Sequence, residues 1–380
     1  MPLPVDFHDW RPTVEQELVL KAALLEGQGA AEAVRAWAGS LGARPLDAGI
    51  RRLLPLVYRN LAEQRIRTEL SDDLRKAYRE TWARNQVLLS RLRGALKILH
   101  TAGIKTLVLK GASLSTRFYR DPGLRPMKDL DVLVPTACAE EAVDVLGRNG
   151  WSPERKPDGT FSRYVSVNHG VRLWDSAGTE LDLHWHVLNE CLAPRADDGF
   201  WHAAVGMEID GVHTLVLCAT DELLHTCIHG VRWNPVPPIR WIADAHKILT
   251  GDHRIDWDRL VAQAIQRRLS LTLKAALGYL REEFEAAIPG STMGRLETVT
   301  VSKEEMREWR SRLNRPGWTL QTPPFLWAHY PRFAKDSGRI PGIFGFLQYL
   351  QAVWDLDYAW QVPLQAIWRS AQRLFYRQPS

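Results

Sequence analysis

The chain has 380 residues, 45% hydrophobic and 24% charged, which excludes a wholly disordered chain, a collagen-like fibre and a small disulfide-stapled scaffold. At about 150 residues per domain, that length predicts two to three domains. The net charge of +5 is uneven: from Val301 onward eleven Lys/Arg face six Asp/Glu, so the last 80 residues hold the whole surplus and suggest an anionic partner for that region.

Residues 1–102 read as helical. Thr13 is placed to cap a segment carrying Leu18, Leu20, Ala22 and Leu25, and Ala30 to Leu41 repeats the pattern up to Gly42. Leu53, Leu54, Leu56, Val57 and Leu61 form another stripe. From Asp72 to His100, Leu88, Leu92, Ala95, Leu96 and Leu99 share one face, and Ala102-Gly103 gives a left-handed stop.

The period then changes. Residues 105–109 (KTLVL) read as a buried strand, and Gly111 to Tyr119 as a helix. Residues 121–126 form a loop, 129–134 (DLDVLV) a second strand closed by Pro135, and 138–148 a helix capped by Thr136. Ser162 to Trp174 and Thr179 to Val187 read as two strands joined by a turn at 175–178. Residues 103–190 therefore make a compact mixed α/β core.

Residues 191–290 read as a helical domain. Thr220 is placed to cap a helix ending at Gly230, with Asp221 and Glu222 in its first turn; Ile239 to Leu249 and Trp257 to Ala287 follow. Residues 291–380 are broken by prolines and rich in tryptophan, with an aromatic helix over 344–358. Trp309, Trp318, Trp327, Trp354, Trp360 and Trp368 suit helix packing or, alternatively, an acceptor groove.

Cys138, Cys191, Cys218 and Cys227 form no C-x-x-C pair, so neither a zinc ribbon nor a thioredoxin motif is expected. The start, MPLPVDFHDWRP, lacks the pattern of a signal peptide, and no run of about 18 apolar residues suggests a membrane span. The expectation is a reduced, cytoplasmic protein.

Chemistry concentrates in the core. On a strand, Asp129 and Asp131 share a face while Leu130, Val132 and Val134 take the other. Adjacent carboxylates repel unless a cation neutralises them, and Mg²⁺ (or Mn²⁺) accepts carboxylates together with phosphate oxygens. In residues 180–186 (ELDLHWH), Asp182, His184 and His186 share one face. A strand-end D-x-D is commonly a solvated edge. Its conjunction with a glycine-entered helix upstream and a third aspartate downstream favours catalysis. His225 and His229 lie one turn apart without the glutamate of H-E-x-x-H, so a hydrogen-bonded pair lining a cleft is expected rather than a zinc site. Arg240 and Asp244 are spaced for an ion pair.

The order Gly-Ala-Ser, D-L-D, then a lone aspartate resembles the DNA polymerase β-like nucleotidyltransferase superfamily. More closely, LVLKGASLSTRFYRDPGLRPMKDLDVLV, ELDLHWHV, DELLHTCIHG and IRWIADAHKIL are similar to a family of uncharacterised nucleotidyltransferases, over residues 85–280. The resemblance implies an α+β fold, a small mixed-sheet nucleotidyltransferase core flanked by helical regions at both ends. It implies that Asp129, Asp131 and Asp182 are metal ligands and catalytic residues, and that Lys110, Gly111, Ser113 and Arg125 bind the nucleotide. His184, His186, His229 and Asp244 would make supporting contacts. Ala112 stands where the superfamily pattern has serine or glycine. The implied reaction is transfer of a nucleoside monophosphate to a hydroxyl or phosphate of a small molecule, peptide or protein, with two metal ions and pyrophosphate release. Natural-product or surface-polysaccharide gene neighbourhoods fit such a family. A tRNA-directed enzyme and an inactive nucleotide-binding module are the alternatives; the neutral core and lack of an RNA-binding motif make nucleic acid the less expected partner.

Overall fold

The computed structural model describes residues 10–41, 45–232, 238–313 and 323–375. The first nine residues, the stop expected at Gly42 and Trp318 lie outside them. At the N-terminus Thr13 caps the helix Val14–Leu24 through a capping box with Gln16. Helices Gly27–Ser40 and Leu54–Glu63 follow, and then the long helix Ser71–Thr101, close to the expected bounds.

The centre is a seven-stranded mixed sheet. Its strands are β1 (Leu107–Val108), β2 (Leu130–Leu133), β3 (Ser152–Pro153), β4 (Gly170–Trp174), β5 (Glu180–His184), β6 (Val205–Ile209) and β7 (Val212–Val216). Their spatial order is β3-β4-β5-β2-β1-β7-β6. β2 and β5 run parallel, as do β1 and β7, while the other neighbours are antiparallel.

Alternation along the strands decides what each face meets. Leu130, Val132, Leu181 and Leu183 join Leu92, Leu96 and Leu99 of the long helix and Val143 and Leu146 of the helix Ala139–Arg148 in one core. Leu107, Leu109 and Leu133 face a second core, shared with the N-terminal helices and with Leu223 and Leu224 of the helix Ala219–Gly230. Asp131, Asp182 and His184 alternate with Leu130, Val132, Leu181, Leu183 and Trp185 of the first core, so their side chains point to the opposite face.

Four local expectations change. Residues 162–174 suggest one strand, but Phe161–Val167 is a helix and only Gly170–Trp174 is extended. The ring contacts of Phe161 with Tyr164 and of both with Trp185 outweigh the β preference of the valines. The sheet also takes in the β6–β7 hairpin, beyond residue 190, through a turn at Asp210 and Gly211 with φ of +47° and +79°. Asp-Gly between alternating apolar residues is the sequence signal for it. Finally, Cys218 rather than Thr220 occupies the N-cap of Ala219–Gly230; the Thr220 hydroxyl instead accepts the Asp256 N–H. Farther on, Trp257 to Ala287 divides into Trp257–Gln266 and Ser270–Phe284, with Arg268 left-handed between them.

The C-terminal helices Pro323–Asp336 and Ile343–Val353 share a third cluster built on Leu326, Tyr330, Tyr349, Leu350 and Trp354. Among the described residues no helix is long and apolar enough to cross a membrane.

Asn85 connects the long helix to the loop before β2. Its amide donates to the Pro122 and Arg125 carbonyls at 2.6 and 2.8 Å and accepts the Met127 N–H at 3.2 Å. Asn85→Ala leaves these groups unpaired in a buried setting and is expected to cost about 2–3 kcal/mol. Urea unfolding monitored by tryptophan fluorescence checks this; an unchanged midpoint would remove Asn85 from the anchoring of the loop.

Candidate active site

Where β1 ends, β2 begins, because the two run antiparallel. The Leu109 N–H donates to the Asp131 carbonyl at 3.0 Å, and the chain then turns into the short helix Lys110–Leu114. Lys110 takes a left-handed φ of +47° at that turn, a conformation unfavourable for a residue with a side chain. Its ammonium lies 2.7 Å from Asp131 Oδ1. A Cβ on Gly111 would lie 3.2 Å from the Met127 side chain, so glycine suits the close approach of the loop.

The parallel register sets Asp131 opposite Asp182. Asp129 precedes β2 by one residue rather than starting the strand, yet it opens into the same cleft. His184 Nε2 lies 3.0 Å from Asp131 Oδ1. Asp131, Asp182 and His184 each offer a ligand atom within 4.8 Å of the others. Burial alone would raise the Asp131 carboxyl, but Lys110 and His184 outweigh it and hold it well below the usual carboxylate range. Asp129 and Asp182 are raised, mainly by burial, and the Asp131 charge pushes both further. Among the described residues neither has an ion-pair partner.

These groups open into a cleft of about 560 Å³. Lys110, Gly111, Arg125, Asp129, Asp131, Asp182, His229 and Asp244 all line it, as the sequence pattern suggests. His225 and Glu222 join them from the helix Ala219–Gly230. Burial lowers His225 to about 3 and pushes His229 well below its ordinary range, so both rings are neutral at pH 7.

Other expected residues sit elsewhere. The Ser113 hydroxyl is buried and donates to Glu222 Oε2 at 2.9 Å, turned from the cleft. His186 Nδ1 pairs with Asp197 at 2.6 Å, and the same carboxylate accepts the Val187 N–H, which makes this a structural brace. Asp244 does not pair with Arg240. It accepts from Arg125 Nε and Nη2 at 2.8 and 2.9 Å and from the Tyr119 hydroxyl at 2.8 Å, while Arg240 donates to the Pro126 carbonyl. Arg125 therefore ties the loop before β2 to the helix Arg240–Thr250. Arg52, Arg232 and Arg240 also line the cleft; they come from three separate segments with no shared motif to mark them.

A model of the uncharacterised nucleotidyltransferase family matches residues 48–285. The chain belongs to that family. The matched segment begins just before Arg52 and ends after the helix Ser270–Phe284. No curated protein matches the chain. Among solved structures it is similar to the antibiotic-resistance factor ANT(2″)-Ia, with 11% identity, a TM-score of 0.31, and coverage of 53% of this chain and 95% of the other. It is also similar to an antigenic nucleotidyltransferase-like protein from Paracoccidioides brasiliensis, with 15% identity, a TM-score of 0.35, and coverage of 57% and 94%. Likenesses this distant imply neither a shared nucleotide nor a shared acceptor.

Glu222 gives this nucleotidyltransferase a titration that can be measured. Burial raises its carboxyl from 4.5 to about 7, against the pull of Ser113 and Arg117. Below the lower value the group is protonated folded and unfolded, and its environment costs nothing. As pH rises to about 7 the unfolded chain ionises first, so stability falls, by on the order of 3 kcal/mol once the folded group has ionised. Glu222→Gln should remove that loss and gain stability over wild type between pH 5 and pH 8. Chemical denaturation at the two values checks it; an equal difference at both would mean that Glu222 titrates normally.

Proposed function

We propose that this nucleotidyltransferase transfers a nucleoside monophosphate from a nucleoside triphosphate to a hydroxyl or phosphate oxygen of an acceptor, with Mg²⁺ or Mn²⁺, and releases pyrophosphate. The observation that carries the proposal is the facing pair Asp131 and Asp182 with Asp129 beside it, a carboxylate set that Lys110 neutralises only in part.

The donor set fits a divalent ion. Asp129 and Asp182 are raised by burial and by the Asp131 charge, which is the mark of carboxylates short of positive charge. Carboxylate oxygens suit Mg²⁺ and Mn²⁺, and the nearby imidazole is tolerated better by Mn²⁺. Asp129, Asp131 and Asp182 would hold the metal. When bound, divalent metal supplies charge stabilisation at the attacking and leaving oxygens.

The chain's own residues do the remainder. His184 and Lys110 fix the orientation of Asp131 by occupying Oδ1. Asp182, raised by burial, is the better placed carboxylate to accept the acceptor's proton. Lys110 brings one positive charge to the phosphates' edge of the cleft. Arg125, spent on Asp244, positions the loop that carries Asp129 and is a positioning residue.

Incubation with each of four α-labelled nucleoside triphosphates, Mg²⁺ or Mn²⁺ and a cell extract tests the proposal. Label is expected on an acceptor, and Asp131→Asn or Asp182→Asn should cut it by roughly three orders of magnitude while the fold is kept. Equal labelling by the variants would overturn the assigned chemistry.

A further inference from the structure

The cleft has a positive side as well as a negative one. Arg52, Arg232 and Arg240 line it with Lys110 and Arg125. Each interior arginine of a folded protein normally finds an anion, because a desolvated guanidinium left alone is costly. Arg125 meets that rule through Asp244. Among the described residues, Arg232 and Arg240 do not.

The carboxylate that acts on Arg232 is Glu190, and Glu190 is already bonded by Arg312. Arg232 Nε is buried without a hydrogen-bond partner, and Nη2 reaches only the His229 ring at 3.4 Å. The carboxylate that acts on Arg240 is Asp244, which is filled by Arg125 and Tyr119. Arg240 keeps a single bond, to the Pro126 carbonyl at 2.8 Å. Burial and the neighbouring Arg125 lower Arg240 to about 10, as expected of a cation without a counter-charge. Arg52 is exposed at the rim, and among the described residues it has no carboxylate at salt-bridge distance.

Arg240 also borders the carboxylates. The His229 ring feels Arg232, Lys110 and Arg240 together, and Arg240 acts on Asp129. The geometry points to Arg52, Arg232 and Arg240 as the seat of the nucleotide's polyphosphate chain. This rests on the nucleotidyltransferase reading of the carboxylates. The attacked phosphorus would sit at Asp129, Asp131 and Asp182, and the two outer phosphates, the future pyrophosphate, would extend toward the guanidinium groups. The placement answers a gap in the site: Ser113, the hydroxyl expected on the phosphates, is bound to Glu222. Guanidinium forks bind phosphate oxygens through paired, charge-assisted bonds, and they do so without metal. That property separates the seat from the carboxylate site.

Tripolyphosphate binding to the full chain, in chelator and without metal, is the direct test, read by calorimetry. Wild type should bind it, and Arg52→Gln, Arg232→Gln and Arg240→Gln should each weaken it about tenfold or more. Arg240→Lys, which keeps the charge and loses the fork, should fall between wild type and Arg240→Gln. A metal-free nucleoside triphosphate should displace the probe. Binding unchanged in the three glutamine variants overturns the seat, as does absence of binding to wild type. Probe that nucleoside triphosphate cannot displace overturns it too, since the arginines would then serve a phosphorylated acceptor. Mn²⁺ titration of the same proteins keeps the two readings apart. A failed seat with Mn²⁺ binding that is lost in Asp131→Asn leaves the nucleotidyltransferase chemistry standing. Tripolyphosphate bound through the arginines, with no Mn²⁺ bound and no label transferred, overturns that chemistry and with it the nucleotide's place on the seat.

Discussion

The register between β2 and β5 sets the terms for everything around the cleft. It places Asp131 directly opposite Asp182 on adjacent parallel strands. Strands lie about 4.8 Å apart, and at an effective dielectric near 20 two charges at that distance repel by about 3 kcal/mol. A slip of one residue would relieve the repulsion, but it would turn Leu181 and Leu183 toward the cleft and Asp182 into the leucine core. The apolar face therefore enforces the unfavourable polar one. Lys110 offsets one carboxylate, from a left-handed backbone that is itself unfavourable. Strain and like-charge repulsion at the same point mark a site held together by the rest of the fold.

What holds it is spread over distant parts of the chain. Asn85 fastens the loop before β2 to the long helix. Arg125 fastens the same loop to the helix Arg240–Thr250 through a buried, doubly bonded ion pair. Such a pair adds little to stability against an apolar replacement, but losing one partner leaves a buried charge and is costly. It fixes the spacing between the strand that carries the carboxylates and the helical wall that faces them. The N-terminal region contributes more than bulk as well, because Arg52 at the cleft rim lies in the turn just before the helix Leu54–Glu63.

The sequence made the helices up to residue 101, the strands β1, β2 and β5 and the shared face of the aspartates legible, since each rests on a local period or a short motif; the two-residue strand β3 carries no such signal. Thr13 and the aspartates at 129, 131 and 182 are of that kind. The β6–β7 hairpin was also written locally, in Asp210-Gly211, though its flanking strands are short. The helix Phe161–Val167 was not, because its packing against Trp185 is tertiary. Side-chain partners were hardest to read. Spacing along one helix suits Arg240 to Asp244, but Arg125 from another segment wins that carboxylate with two bonds. Ser113 and His186 carry the right chemistry on the expected elements and are claimed by Glu222 and Asp197.

Those claims sort the charges of the interior. Asp197, Asp221 and Glu308 each have a nearby partner, in His186, Arg259 and Arg332, and act as braces. Asp129, Asp182, Arg232 and Arg240 have no ion-pair partner among the described residues, and all four line a single cleft. Burial raises the two carboxyls and lowers the two guanidinium groups, so none of the four is plainly solvated. Had they been structural, the nearest design would pair them with each other, as Arg125 pairs with Asp244. Opposite charges that line one pocket without pairing to each other suit a ligand that carries both signs. The proposed metal-bound triphosphate would be such a ligand, with its cation toward the carboxylates and its outer phosphates toward the guanidinium groups.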